Sequence, residues 1–596
     1  MPIKNPITST KIKKLRVKFR RIAEKQKNKQ ITVILLSVLV GLIVGLAAIL
    51  IKQITYGIEN YATKFFPGFL LILTPLVGLV LVNLLNINIF KKVADFKGMR
   101  NVIDSIENHQ SFIKLRLIYT KFITAGITIG FGGSSGMESA IITSGASIGS
   151  NMGKSFGLNY QLRTLLIGCG TAGGISAMYN APIGGFLFAL EVILPEFTPA
   201  LLIPLLLSSA TGKILFELIM GQNLRFDEHI DTFSYQSLPY VILVGFAGAL
   251  TALYMKNTYS FCYKYLSRLH NPYIIALVGG SVLGLLIYFF PALYGEGYVS
   301  INELLHNNEP AIWENSILAN PGFQPFHGTL ILVALFFLRP VTTGLSLGSG
   351  GEGGYFAPSL VAGGLTGYLV FKLIFSFYGN LIGLEPNILI FLGMAATFAC
   401  VMRAPVTAIF LIADTTQSYG LIVPLMITTT IAYTFKNYID AYNPLQKGGH
   451  GTLQMEKFIL NQINLRDIIE PIFGKIKAND NLREVIAHFS GHEHGVTPVY
   501  DDKNKIIGII ELKKVRELMK DFESYDTIKA AELMDTNFDV TNYTALRKKL
   551  LDNPSVAKEH HILIRKNEAI LGHVSSYKML SIYNQYLNNP DRLFAK

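Results

Sequence analysis

Charge is scarce in this chain. Only 16% of its 596 residues are Asp, Glu, Lys or Arg, against about 25% in an ordinary soluble protein, and that deficit argues against one water-soluble globule. Cysteine is scarcer. Cys169, Cys262 and Cys400 are the only three, they follow no paired spacing, and each sits among apolar residues. That pattern excludes a disulfide framework and a cysteine-bearing metal site, and leaves three small buried hydrophobes. Histidine does not fill the gap: His492, His494, His560 and His561 have no coherent ligand spacing and read as surface residues. A cation path wants clustered acids, whereas the acids near the broken helices, Glu138, Glu191 and Asp414, stand apart, which argues against a divalent-cation transporter. The last 150 residues hold no nucleophile–base set and no phosphate loop, which argues against an enzyme on a membrane anchor. No metal and no cofactor are expected.

What the chain has is apolar length. Half of its residues are hydrophobic, and the clearest runs, at 31–51, 69–85, 240–254, 274–288, 330–345 and 421–433, suit a bilayer core of roughly 30 Å. Residues 1–30 carry eleven Lys and Arg against one acid, Glu24. The segment is too long and too charged for a signal peptide and offers no small-residue cleavage site. It reads as a cytoplasmic arm obeying the positive-inside rule, either a solvated topogenic tail or a patch for anionic lipid. The net charge of +13 therefore needs no nucleic acid to explain it.

Three regions follow: the basic arm 1–30, an apolar region 31–446, and a soluble region entered through a linker at 447–465 and divided at about 466–525 and 526–590. The apolar region is repeatedly broken by Gly and Pro, at 130–139, 168–185, 347–359 and 401–406. Irregular backbone at membrane depth persists only where it is buried or lines a wet cavity, and broken helices in corresponding halves mark a transport site. A correspondence is visible. Asn180-Ala181-Pro182 opens an apolar segment with Glu191 eleven residues after the Asn, and Arg403-Ala404-Pro405 opens another with Asp414 eleven after the Arg. Proline in the first turn fits a helix start, where its missing N–H costs nothing. The soluble region repeats too. Residues 496–516 and 561–580 each read strand, polar turn, strand, helix, with Gly508 and Gly572 at matching places.

An anion inside a membrane needs positive potential without a trapping full charge, and helix N-termini supply it through unpaired N–H groups and the dipole end. Two segments have that form. In 132–149 a Gly/Ser loop runs into a small-residue helix with Glu138 at its start. An intramembrane acid is a functional site by default. Here the carboxylate would occupy the anion's own place, blocking it when ionised and releasing it when protonated, so it acts as gate and proton carrier. The second segment is Gly353-Gly354-Tyr355-Phe356-Ala357-Pro358.

These residues resemble the ClC chloride channel and anion–proton antiporter family. GGYFAP looks like its third signature, in which the two residues before Ala-Pro, here Tyr355 and Phe356, bind the central anion through backbone N–H groups. GMES at 136–139 is similar to the second signature, so Glu138 takes the role of external gate, with Gly136, Met137 and Gly354 beside it on the anion path. The resemblance implies an all-α polytopic membrane domain of inverted repeats and broken, tilted helices, and the soluble tail resembles a small α/β cytoplasmic CBS pair. It further implies a homodimer with one anion path per subunit, cytoplasmic termini and a plasma membrane location; high Ile, Lys and Asn usage suggests the bacterial inner membrane.

The chain departs from the family at several places. Met137, Ser139 and Ala140 replace signature residues; Lys97, followed by Gly98, falls where a serine hydroxyl is usual; Gln446 stands in the tyrosine slot; Val192 occupies the slot of the internal proton-transfer glutamate. Lys97 either adds charge to the anion path or snorkels to the cytoplasmic vestibule, and Gln446 retains an amide donor. Val192 cannot carry a proton, so the expectation is a gated chloride channel, with an anion–proton antiporter as the alternative. The CBS pair lacks the ribose-binding carboxylates after Gly508 and Gly572, where Glu511, Lys514, Ser575 and Lys578 stand instead, so a structural role is expected in place of nucleotide binding.

Overall fold

The computed structural model describes residues 26–90, 98–194, 199–221, 226, 228, 230, 233–314, 316, 326–379 and 385–442, and in the tail 468–470, 472, 474–489, 495–519, 524–536, 538–543, 545–546, 561–566, 569–574 and 578. The chain divides into two compact units, Met1–Asn443 and Pro444–Lys596.

Among the described residues, the regular elements of the first unit are all helices. In chain order it contains α1 (Gln26–Phe65), α2 (Leu73–Leu84), α3 (Gly98–Asn108), α4 (Leu117–Gly130), α5 (Glu138–Ser155), α6 (Tyr160–Tyr179), α7 (Pro182–Phe188) and α8 (Leu202–Met220). It continues with α9 (Leu238–Leu266), α10 (Pro272–Phe289), α11 (Tyr298–Leu305), α12 (Phe326–Gly348), α13 (Phe356–Tyr378), α14 (Pro386–Met402), α15 (Pro405–Thr416) and α16 (Ile422–Tyr442). Seven stretches among the described residues are long and apolar enough to cross a membrane: Ile31–Phe65, Gly68–Ile89, Leu202–Met220, Tyr235–Leu269, Pro272–Phe289, Gly328–Gly348 and Phe356–Phe377. Five of the runs read in the sequence lie within these. The run 421–433 overlaps α16, which is not one of the seven, and the apolar runs read in the sequence include neither α8 nor the span Phe356–Phe377 of α13. Ser208, Ser209 and Lys213 interrupt the hydropathy of α8, although both serines are buried.

Helix α1 explains its own placement. Leu35, Leu39, Leu46 and Leu50 are exposed while Leu36, Val40, Val44, Ala47 and Ile51 are buried. A helix apolar on every face faces protein on one side and lipid on the other.

The internal repeat extends well beyond the two Ala-Pro motifs. Helix α6 ends at Asn180 in the left-handed region (φ 56°, ψ 31°) and α14 ends at Arg403 in the same conformation (φ 56°, ψ 39°). Each is followed by an alanine in a matching non-helical conformation (φ -121°, ψ 82° at Ala181; φ -134°, ψ 72° at Ala404) and a helix opened by proline. Small residues recur at matching offsets. Gly145 lies seven residues after Glu138, as Gly363 does after Phe356, and each meets its partner helix so closely that a Cβ would sit 2.4 Å from the carbonyl oxygen of Gly170 or Gly393, respectively. Only glycine permits backbones to approach this far. The pair α5–α6 thus corresponds to α13–α14.

The second unit also repeats. Strand β1 (Ile476–Lys477) pairs parallel with β2 (Val496–Tyr500), which pairs antiparallel with β3 (Ile506–Glu511). Strands β4 (Phe538–Asn542), β5 (His561–Lys566) and β6 (Ala569–Val574) repeat that order. Gly508 faces Val499 and Gly572 faces Ile564, each just before a register shift. In the first hairpin Asp501 Oδ1 accepts from the N–H groups of Lys503 (3.0 Å) and Lys505 (2.7 Å), which fixes the turn.

Candidate functional site

Two glycine-rich loops, 131–137 and 349–355, are tied to each other and to the helices behind them. The Gly136 N–H donates to Gly354 O at 3.0 Å and the Gly354 N–H to Gly136 O at 3.1 Å, an antiparallel bridge of one residue pair. Ser134 N–H donates to Ser346 Oγ (2.8 Å), Glu352 N–H to Thr128 Oγ1 (2.9 Å), and Ser135 Oγ to Glu352 O (3.3 Å). The bridge brings the starts of α5 and α13 side by side. Gly136 and Gly354 use their own N–H groups on each other and do not offer them to a ligand; their contribution is the junction. Tyr355 and Phe356 open α13 directly after it. Helix α3 joins them: a Cβ on Gly98 would lie 2.7 Å from Ser139 Oγ, and one on Gly354 would lie 3.0 Å from Ser139 Cβ. Ser139, one of the departures from the family pattern, is therefore wedged where three helix starts meet.

Glu138 is the first residue of α5 and is fully buried. Its carboxylate bends back over its own helix start, so close to Gly136 that a Cβ there would lie 1.9 Å from Oε2. Tyr179, the last residue of α6, donates its hydroxyl to Glu138 Oε1, and the same hydroxyl lies 2.6 Å from that of Tyr298. Phe356 stacks on Tyr179 at 4.9 Å between centroids and meets Phe188 at 5.7 Å and Phe398 at 4.5 Å. An aromatic wall thus closes around a carboxylate held against helix-dipole ends. Val192 is half-buried on the π turn that continues α7. Lys97, Gln446, His492, His494, His560 and Ser575 lie outside the described residues.

The two acids found by the repeat serve each other's helices. Glu191 reaches α15, accepting from Val406 N–H (3.2 Å), Thr407 N–H (2.8 Å) and Thr407 Oγ1 (2.7 Å). Asp414 reaches α7, accepting from Ile183 N–H (2.7 Å) and Gly184 N–H (3.0 Å), with Tyr419 donating to its other oxygen at 2.6 Å. Each carboxylate caps the start of the helix that carries the other. Replacing either with alanine is expected to lower stability by about 2 kcal/mol, the value of bonds to a charged acceptor, read as a lower denaturation midpoint of detergent-purified protein.

Several charged groups escaped the sequence reading. Lys121 in α4 and Glu352 in the second loop form a buried pair with Nζ–Oε2 at 2.7 Å. Arg339 in α12 is 1% exposed and donates to the carbonyls of Leu293 (3.0 Å), Gly295 (2.8 Å) and Glu296. Glu296 accepts from Met137 N–H at 3.0 Å. The rule that flagged Glu138 as an intramembrane acid covers all four, Glu352 included, which lies within the glycine-rich stretch 347–359. Among the described residues no cluster of three or more His, Cys, Asp or Glu is arranged to hold a metal.

Residues 78–437 match the family described as voltage gated chloride channel, and residues 465–521 match the CBS domain. The chain is similar to the H(+)/Cl(-) exchange transporter ClcA of Vibrio cholerae serotype O1, strain M66-2, at 28% identity over 450 residues, covering 72% of this chain and 91% of that protein. Among solved structures it resembles a slow cyanobacterial Cl-/H+ antiporter (TM-score 0.57, 23% identity, 68% of this chain and 94% of that one). It also resembles a eukaryotic CLC transporter (TM-score 0.57, 19% identity, 92% of this chain and 97% of that one).

Proposed function

Because the chain belongs to the voltage gated chloride channel family, we propose that it exchanges chloride or a similarly small anion for protons across a membrane. The observation that carries this reading is Glu138, buried at a helix start and hydrogen-bonded by Tyr179. Ionised, its carboxylate fills the place where an anion would meet the helix dipole. Protonated, it loses that attraction and yields the place. One group that alternates between proton and anion path couples the two flows.

The anion is held in this reading by the N–H groups of Tyr355 and Phe356 at the start of α13. Neither a lysine nor a serine side chain is required for it, since the amides supply the potential. The exchange activity named for the Vibrio relative supports the antiport alternative over the gated channel that Val192 suggested. With valine at 192 the inner half of the proton route runs without a carboxylate at that position. Two subunits, each with its own path, make the assembly. It sits in a bacterial inner membrane with both termini in the cytoplasm, and the CBS pair serves a structural role.

The test is flux from chloride-loaded liposomes holding the full chain, with external chloride and pH recorded together. Chloride leaving the liposomes is expected to drive protons inward with no proton gradient imposed. Chloride release without proton movement would return the reading to a channel gated by Glu138.

A further inference from the structure

The start of α5 carries a second acid that nothing in the motif anticipates. Segment 295–298 lies across it. Glu296 Oε1 accepts from the Met137 N–H at 3.0 Å, and Tyr298, two residues on, reaches Tyr179 and through it Glu138. The segment is fixed from behind by Arg339, whose guanidinium is bonded to the carbonyls of Gly295 and Glu296. Gly297 adopts φ 87°, and a Cβ there would lie 2.4 Å from Arg339 Nη2, so the backbone wraps the guanidinium as closely as glycine allows. Glu296 is 9% exposed, and its exposed edge lines a cavity of about 550 Å³ that also holds Glu59, Glu303 and Glu314.

Resting on the reading of this site as an anion path, we propose that Glu296 is a tethered competitor for the transported anion at the Met137 amide. A helix-start N–H takes whichever anion is offered. A carboxylate anchored by a rigid segment is present at high effective concentration, so a halide entering from the cavity must displace it. The three further carboxylates in that cavity repel the same halide. The chain therefore has two carboxylates at one helix start: Glu138 from the helix itself, held by the Tyr179 hydroxyl, and Glu296 from the wall, on the Met137 amide. The outer position is weakened for anions even while Glu138 is protonated.

The experiment is chloride titration by calorimetry of the detergent-purified full chain and of its variants. Glu296→Ala is expected to tighten apparent chloride affinity roughly tenfold. Glu296→Gln keeps an oxygen acceptor for Met137 but no charge, and is expected to tighten it by less. A residue that merely braced the start of α5 would move affinity the other way, because its loss would loosen the donors. Unchanged or weakened affinity in Glu296→Ala overturns the proposal, and if that variant does not fold, the same outcome in Glu296→Gln overturns it. Chloride transport by the wild type with unaltered affinity in the variants removes this inference alone. Absence of chloride binding in wild type and both variants removes the anion reading with it, whereas binding gained only in the variants supports the competitor.

Discussion

Glu138→Gln is expected to abolish anion-driven proton movement and to leave anion flux independent of external pH. The size of the effect is at least tenfold in proton flux, because the substitution removes the buried carboxyl that opens α5 and that the proposed exchange uses as its proton carrier. Glutamine is close in shape and still offers Tyr179 an oxygen to donate to, so the fold around it is kept and anion passage continues. The amide has no charge, so it no longer competes for the helix-dipole end and no longer exchanges a proton. Proton-coupled flux in the variant, measured in the same liposomes as the wild type, would remove Glu138 from the mechanism.

Lys121→Met is expected to cost about 3–5 kcal/mol, the usual penalty for leaving one charge of a buried pair alone. Lys121 is 3% exposed and Glu352 8%, and the pair holds the loop that carries Gly354 and leads into α13. The double variant Lys121→Met, Glu352→Gln removes both charges and is expected to recover most of that loss, since a neutral pair bears no uncompensated charge. Denaturation midpoints of the two single variants and the double variant in detergent decide it. Additive losses would mean that the two groups do not act on each other. Selective loss of transport at wild-type stability would mean that Lys121 acts on the anion instead of on the loop.

Much of this was legible in the sequence, and the limits have physical causes. Glu138 stood out because an acid in a Gly/Ser-rich membrane segment is costly unless it is used. The soluble repeat was legible because its strands alternate with turn residues at fixed offsets, and Gly508 and Gly572 fall at equivalent register positions. Tyr179 and Tyr298 were not legible: a tyrosine in an apolar helix looks like any aromatic, and only the fold shows where its hydroxyl points. Glu296 and Lys121 belong to pairings across 159 and 231 residues of sequence, beyond what local spacing encodes. Glu191 and Asp414 were found by their matching offsets, yet the sequence could not say that each caps the other's helix. Their spacing from the Ala-Pro motifs is the imprint of that exchange.

The mutual capping of α7 and α15 also sets a schedule for synthesis. The N–H groups of Ile183 and Gly184 find their acceptor in Asp414, about 230 residues later in the chain. At 5–20 residues per second a ribosome takes roughly 10–50 s to make that stretch. For that interval the start of α7 has no Asp414, and bare amides in hydrocarbon are costly. The first half must therefore wait in water or in the insertion machinery, and it enters the bilayer in its final form only when the second half arrives to close it.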